Sequence, residues 1–255
     1  MRCFISFSTT KKEYSGTLGL ISGLSLFYYV CKTEPPFYSI VLDKKIADIR
    51  TDYTLDDLLE RDVAPDPITQ FSEWFDQALR AEVIEPNAMT LSTVSADGKP
   101  SSRIVLLKDV GVDGFSFFTN YHSRKGRELA GNPHASLLLF WPELQRQVRV
   151  EGSVSKLSGD VSTAYFRSRP RGSRIGAVAS PQSEIVESRG HLDARIRSVE
   201  EVYAGQEEIP RPEHWGGYLL KPDSVEFWQG RSSRLHDRLC YRKVELGWQL
   251  IRLAP

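Results

Sequence analysis

Between Trp228 and Arg238 the sequence WQGRSSRLHDR sets three arginines, a histidine and an aspartate behind one tryptophan. Guanidinium groups meet phosphate as planar forks, so such a run can hold an anion; it can equally be a solvated charged face. Three other stretches bear on the choice. In RIVLLK, Arg103 to Lys108, strand geometry puts Arg103, Val105 and Leu107 on one face and Ile104, Leu106 and Lys108 on the other. Each face pairs a cation with aliphatics, which suits a protected sheet edge or a cleft wall where cations meet phosphate and aliphatics meet a ring. In TNYHSRKGREL, Ser123 can cap a helix whose first turn carries Arg124 and Lys125. Cations there oppose the helix dipole, and a bound phosphate would remove the conflict. YFRSRPRGSRIG, Tyr165 to Gly176, gathers four arginines and two serines around a Pro-Gly loop. A solvated loop, a nucleic-acid patch and a small-phosphate site all fit that stretch alone.

Whole-chain properties narrow these readings. Lys+Arg and Asp+Glu both total 33 in 255 residues, so the formal net charge is zero. That disfavours bulk electrostatic attraction to nucleic acid or an anionic membrane, and any basic site must be local. The three cysteines, Cys3, Cys31 and Cys240, are far apart with no CxxC pair, and the five histidines are dispersed. Neither a disulfide framework nor a protein-ligated metal is indicated, and a reducing, cytoplasmic setting fits best. Neither GxGxxG nor GxxxxGK[ST] nor GxSxG occurs, so Rossmann, P-loop and serine-hydrolase sites lack support. The residues alone point to a phosphate-rich ligand on a β-rich fold, with Trp228 and Val105 able to flank a planar ring.

The elements that would position these groups are legible from Ile46 onward. APDPITQFSEWFDQALRAEV starts a helix, with Asp66 as cap, Pro67 in the first turn and Ile68, Phe71, Phe75 and Leu79 at helical spacing. AMTLSTV, ending near Asp97-Gly98, begins a series of closely spaced strand-like runs that continues through SRIVLLKDV, GFSFFTN, ASLLLFW and RQVRVEGSVSKL. Helices are expected around Val161–Phe166 and in HLDARIRSVEEVYAG, whose Leu192, Ile196, Val199 and Tyr203 share a face. Strands then resume as two segments, WGGYLLKP and SVEFWQG, followed by DRLCYRK and GWQLIRLAP. Such spacing predicts one α+β domain centred on an antiparallel barrel.

Residues 1–45 read differently. Tyr14 to Cys31 carries no charge and follows Lys11 and Lys12, but glycine and serine dilute it below an ordinary membrane span. A presequence, a disordered extension and a membrane anchor are the readings it admits, with membrane attachment the least favoured; organellar targeting stays open.

Over Ile46 to Pro255 the sequence resembles the pyridoxamine 5'-phosphate oxidase family. The resemblance rests on RIVLLK, FFTN with SRKGRE, RQVRVEG, YFRSRP, SRIGAVASPQS, HWGGY, EFWQG, RLHDR and the closing RLAP, in that order. It implies an antiparallel split β-barrel with flanking helices, one FMN per subunit and a homodimer with each FMN between subunits. It further implies that Arg103, Arg124, Lys125, Gln182 and Ser183 meet the FMN phosphate and ribityl chain. Ile104, Val105, Leu106, Phe118 and Thr119 would line the flavin, with Gln147, Trp228 and Arg238 also on the cofactor. Lys108, Tyr165, Arg169 and Ser173 would hold the substrate phosphate. Arg234 and His236 would lie over the pyridine ring, and Arg50 and Tyr53 would help close the site. The implied reaction oxidises pyridoxamine or pyridoxine 5'-phosphate to pyridoxal 5'-phosphate.

Two departures stand out. Arg174 occupies a place where the family commonly has glutamine, adding a charge beside the expected phosphate clamp. The first forty residues match nothing in the family pattern.

Overall fold

The computed structural model describes residues 46–255. The expected N-terminal extension, with the uncharged stretch at 14–31, lies outside the described residues. The chain divides after Ile49, and the unit from Arg50 to Pro255 carries every element discussed below. Among the described residues no helix is long and apolar enough to cross a membrane.

Helix α1 (Pro67–Arg80) begins as its sequence predicts: the Asp66 carboxylate accepts from the Ile68 and Thr69 amides, and Pro67 occupies the first turn. Its buried stripe differs from the expected one. Phe71, Trp74 and Ala78 enter the core while Leu79 stays 53% exposed, because the helix turns Trp74 against Phe227 and Phe71 against Phe115.

Nine strands follow, all paired antiparallel: β1 (Ala88–Val94), β2 (Pro100–Leu106), β3 (Asp109–Gly111), β4 (Gly114–Asn120), β5 (His134–Trp141), β6 (Arg146–Lys156), β7 (Trp215–Gln229), β8 (Asp237–Val244) and β9 (Gly247–Arg252). The main path runs β2-β1-β5-β6-β7-β4-β3, and β8 with β9 branches from β7. Strands from both ends of that path, such as Leu91 of β1 and Phe117 of β4, share one hydrophobic core. The sheet is therefore curled but not closed by hydrogen bonds, a split barrel.

The branch is built into β7, which is one continuous strand and not the two expected from sequence. Residues 215–220 pair with β4 and residues 224–229 pair with β8, while β6 runs alongside both halves. Pro222 sits at the change of partner, where a missing N–H costs no ladder bond. There the register between β6 and β7 shifts: Glu151 pairs with Ser224 and Gly152 with Pro222, so Asp223 is an extra residue on β7. A Cβ at Gly152 would lie 2.0 Å from the Lys221 carbonyl oxygen.

Helices α2 (Arg124–Gly131), α3 (Gly159–Ser168), α4 (Arg171–Ala179) and α5 (Arg189–Val202) flank the sheet. The stretch read as a Pro-Gly loop is in fact the junction of α3 and α4: Arg169 ends one helix and Pro170 precedes the next. Phe166, Ile175, Ile209 and Trp215 form a second core there, with Ile196, Val199 and Tyr203 of the α5 region packed on it.

One buried cation ties the segment before α1 to this frame. Arg146 donates to Gln229 at 2.8 Å, to Gln77 and to Asp56 at 2.8 Å, and its guanidinium lies 4.4 Å from the Trp74 ring centroid. Replacing it strands the amide oxygen of the fully buried Gln229. Arg146→Met is expected to lower the unfolding free energy in urea by about 3 kcal/mol. Asp56→Asn, at a carboxylate 52% exposed, should cost less than about 1 kcal/mol. The reverse order would contradict this assignment.

Candidate active site

Helix α2 delivers its first turn to the edge of the sheet. The Ser123 hydroxyl accepts from the Gly126 amide, capping the helix as expected. Glycine is required at 126, where a Cβ would lie 2.1 Å from the Tyr121 carbonyl oxygen. Lys125 is consequently buried, and its Nζ donates to Gln182 at 3.0 Å, Thr119 at 3.1 Å and Ser123 at 3.2 Å. Burial, reinforced by the nearby Arg103 charge and opposed by Glu128, pulls the ammonium pKa down to about 8.

Arg103 and Arg124 reach the same place from different elements and meet a buried carboxylate. Glu128 Oε1 accepts from Arg124 Nε at 2.8 Å. Its Oε2 accepts from Thr93 at 2.5 Å, Ser101 at 2.6 Å and Arg103 at 3.3 Å. Burial opposes ionisation, but the hydrogen bonds from Ser101, Thr93, Arg124 and Arg103 outweigh it and hold this carboxyl at about 2. The clash between Arg124 and the helix dipole is thus met within the chain, by an acid four residues on.

Across the cleft stand the ends of α3 and α4. The Tyr165 ring stacks on Phe118 with centroids 3.9 Å apart. The Arg169 guanidinium lies 4.6 Å from the Trp215 centroid, and its buried NH1 has no hydrogen-bond partner. Burial lowers its pKa. Ser173 sits in the first turn of α4.

These walls enclose a cleft of about 760 Å³. Fourteen residues singled out from sequence line it together: Arg103, Ile104, Val105, Leu106, Lys108, Phe118, Thr119, Arg124, Lys125, Tyr165, Arg169, Ser173, Gln182 and Ser183. Strand β2 is at once a sheet edge and a cleft wall, so both readings of RIVLLK hold. Ser183 has a positive φ of 72°, a strained setting of the kind found at ligand sites.

The other seven, Arg50, Tyr53, Gln147, Trp228, Arg234, His236 and Arg238, do not line this cleft. Gln147, Trp228 and Arg238 form one row across β6, β7 and β8, on the face opposite the core residues Val148, Phe227 and Leu239. Tyr53 packs edge-on to Trp228 at 5.9 Å and beside His236 at 5.9 Å, and Trp228 lies 4.6 Å from His236. Arg238 is gripped by buried Glu226 at 2.9 and 3.0 Å and donates to the Ala254 carbonyl at 2.8 Å. His236 Nδ1 accepts from the Arg231 amide at 3.1 Å; burial and then Arg234 lower its pKa, so the neutral ring keeps its proton on Nε2. Arg234 is exposed at φ 61°, directly after Ser233 at φ 55°. Arg50 is exposed.

Arg231 lies 3.5 Å from Asp57 and 3.8 Å from Asp237. Asp237 also pairs with Arg252 at 2.6 Å. Arg174 directs NH1 toward the Glu207 carbonyl and lies outside the cleft lining, so its charge is not beside the expected clamp.

Sequence reading passed over Ser101, Ser102, Pro170 and Trp215, which also line the cleft, and Glu128 beneath it. The Arg124-to-Glu128 spacing was the available signal for the last.

Residues 75–203 match the family model described as pyridoxamine 5'-phosphate oxidase, and residues 215–255 match one described as pyridoxine 5'-phosphate oxidase C-terminal dimerisation region. The chain is 58% identical over 211 residues to a pyridoxine/pyridoxamine 5'-phosphate oxidase of Thermosynechococcus vestitus, covering 83% of this chain and 99% of the relative. It is 57% identical over 213 residues to one of Burkholderia vietnamiensis, covering 82% and 99%. Among solved structures, PhzG from Burkholderia lata, in complex with tetrahydrophenazine-1-carboxylic acid, superposes with a TM-score of 0.74 at 33% identity, covering 79% of this chain and 99% of that one. A pyridoxamine 5'-phosphate oxidase-related, FMN-binding protein from Nostoc punctiforme shares the fold, with a TM-score of 0.59 at 18% identity over 76% of this chain and 99% of that one. With residues 75–203 and 215–255 matched by the two family models and more than half of the aligned residues identical to curated relatives, the chain is an oxidoreductase that belongs to the pyridoxamine 5'-phosphate oxidase family.

Proposed function

We propose that this protein is an FMN-dependent oxidase that converts pyridoxamine 5'-phosphate and pyridoxine 5'-phosphate to pyridoxal 5'-phosphate. With the amine, substrate, O2 and water give aldehyde, ammonia and hydrogen peroxide. The reading rests on one observation: a single cleft gathers two separate cationic groups around an aromatic and aliphatic wall. Arg103, Arg124 and Lys125 come from β2 and α2, while Lys108 lies in the link between β2 and β3 and Arg169 follows the end of α3. Two phosphorylated ligands need two such groups, and the unpartnered Arg169 NH1 supplies a donor that a phosphate oxygen would satisfy.

The residues present fit FMN. Lys125, Arg103, Arg124, Gln182 and Ser183 would hold its phosphate and ribityl chain, and Ile104 to Leu106 with Phe118 and Thr119 would flank the ring. When bound, FMN supplies the hydride acceptor and its reoxidation by O2. Lys108, Tyr165, Arg169 and Ser173 would clamp the substrate phosphate and so turn binding energy into orientation. Arg234 and the neutral, Nε2-protonated His236 would sit over the pyridine ring as positioning and hydrogen-bonding groups. Arg238 would stabilise negative charge developing on the flavin.

The row Gln147-Trp228-Arg238 with Tyr53, Arg234 and His236 lies apart from the cleft lining of its own chain. We assign it to the cleft of a second subunit in a symmetric homodimer, with each FMN at the interface. Ile104, Leu106 and Phe140, exposed on the sheet face that carries the row, supply apolar surface for that contact.

Oxygen consumption with pyridoxamine 5'-phosphate tests the activity. Arg234→Ala should lose about a hundredfold in rate with FMN content unchanged; an unchanged rate would refute the site assignment. The pH dependence of FMN binding tests Lys125. The phosphate is a dianion above about pH 6, and the empty-site ammonium begins to lose its proton near 8. A bound phosphate raises that pKa, so binding above 8 takes up a proton. Affinity should be greatest between about pH 6 and 8 and fall up to about tenfold per unit above that. A flat profile to pH 10 would contradict the role of Lys125.

A further inference from the structure

Glu128 is an acid at a place where an anion is expected, and the reading above gives it no task. A carboxylate near a phosphate subsite repels the ligand unless it does something that outweighs the repulsion. The geometry points to Glu128 as the positioning residue of the cofactor-phosphate subsite, a buried countercharge that fixes Arg103 and Arg124 as preoriented donors. The inference rests on the proposed FMN reading.

Both carboxylate oxygens are committed. Oε1 takes Nε of Arg124, a residue of the cleft lining, which leaves the terminal nitrogens of that guanidinium uncommitted. Oε2 takes Arg103 and the hydroxyls of Thr93 and Ser101, and those two hydroxyls also accept from Arg103 at 2.5 Å each. Arg103 NH1 further meets the Leu91 carbonyl at 3.2 Å. These contacts take up the four terminal N–H groups of Arg103. The arginine is therefore locked by a lattice that Glu128 closes, with Nε–H as the donor it keeps for a ligand. The carboxylate is 6% exposed and Thr93 fully buried. Preorganised donors lose little freedom on binding, so each retains more of its interaction with the ligand. Arg103, Arg124 and Lys125 also repel one another, and Glu128 holds the three together before any anion arrives. The charged groups around Lys125 are Arg103 on β2, Arg124 and Glu128 on its own helix, and Lys108 and Arg169 elsewhere in the cleft. Glu128 is the acid among them.

The test is titration of the apo-protein with FMN and with riboflavin, read by flavin fluorescence from pH 6 to pH 10. Glu128→Gln keeps the shape and removes the charge. It should weaken FMN by roughly tenfold or more while changing riboflavin, which has no phosphate, by less than about twofold. The pH above which FMN affinity falls should also move down, because Lys125 loses its only stabilising charge. Thr93→Val, outside the cleft lining, gives a second readout that tolerates a misfolded Glu128→Gln: FMN should weaken a few-fold, again without loss of riboflavin. Equal FMN affinity and an unmoved pH profile in both folded variants would overturn the inference. A parallel loss of FMN and riboflavin would also overturn it, since that marks a structural role. If the unaltered protein binds no FMN, the functional reading itself fails.

Discussion

The arrangement depends on a constraint in the hydrogen bonding of one strand. β7 must satisfy two neighbours on the same edge, β4 along its first half and β8 along its second. The change of partner can occur only where an unpaired backbone position is harmless, and Pro222, beside the bulged Asp223, meets that condition. From this fork follow the two surfaces that matter. The half paired with β4 carries Trp215 and helps wall the cleft, while the half paired with β8 carries Trp228 in the row from Gln147 to Arg238.

Around both surfaces the same electrostatic device recurs. A buried carboxylate grips arginines that border each surface: Glu128 holds Arg103 and Arg124, and Glu226 holds Arg238 and Arg149. Such pairs contribute little net stability, since desolvation offsets much of the attraction. Their effect is geometric: Arg238 is held by a bidentate contact to Glu226, and Arg103 and Arg124 each by one contact to Glu128, so each guanidinium presents its remaining donors in a restricted orientation. The segment before α1 is held by the converse arrangement, with Arg146, Arg231 and Arg252 fixing Asp56, Asp57 and Glu60 and so placing Tyr53 on Trp228 and His236.

What was legible in the sequence follows from which signals are local. Asp66-Pro67 and Ser123 announce helix starts because capping is decided within four residues, and the alternation in RIVLLK gives its two faces for the same reason. The continuity of β7 was not legible, since proline reads as a break, and the bulge at Asp223 beside it is seen only in the register with β6. Helix α4 was hidden by its Pro-Gly composition, although a proline just before a helix is favourable. On α1 the expected stripe packs in or against the core at Ile68, Phe71 and Phe75 but not at Leu79, because burial is set by where Trp74 and Phe71 meet the sheet. Of the site residues, the cleft set could be grouped from motifs, but their separation from the Trp228 row is a property of the fold in three dimensions. Glu128 was missed because an acid does not fit the pattern of an anion site until its partners are seen.

The central claim is that each complete site takes its cleft from one subunit and its Trp228 row from the other. Hybrid dimers purified from co-expressed Arg169→Ala and Arg234→Ala chains, each carrying a different affinity tag, test it most directly. In such a hybrid one site holds both defects and the other holds neither. The account predicts about half of the wild-type oxidase activity per hybrid dimer, with both parent homodimers near background. Hybrids no more active than their parents would contradict it and place the whole site within a single chain.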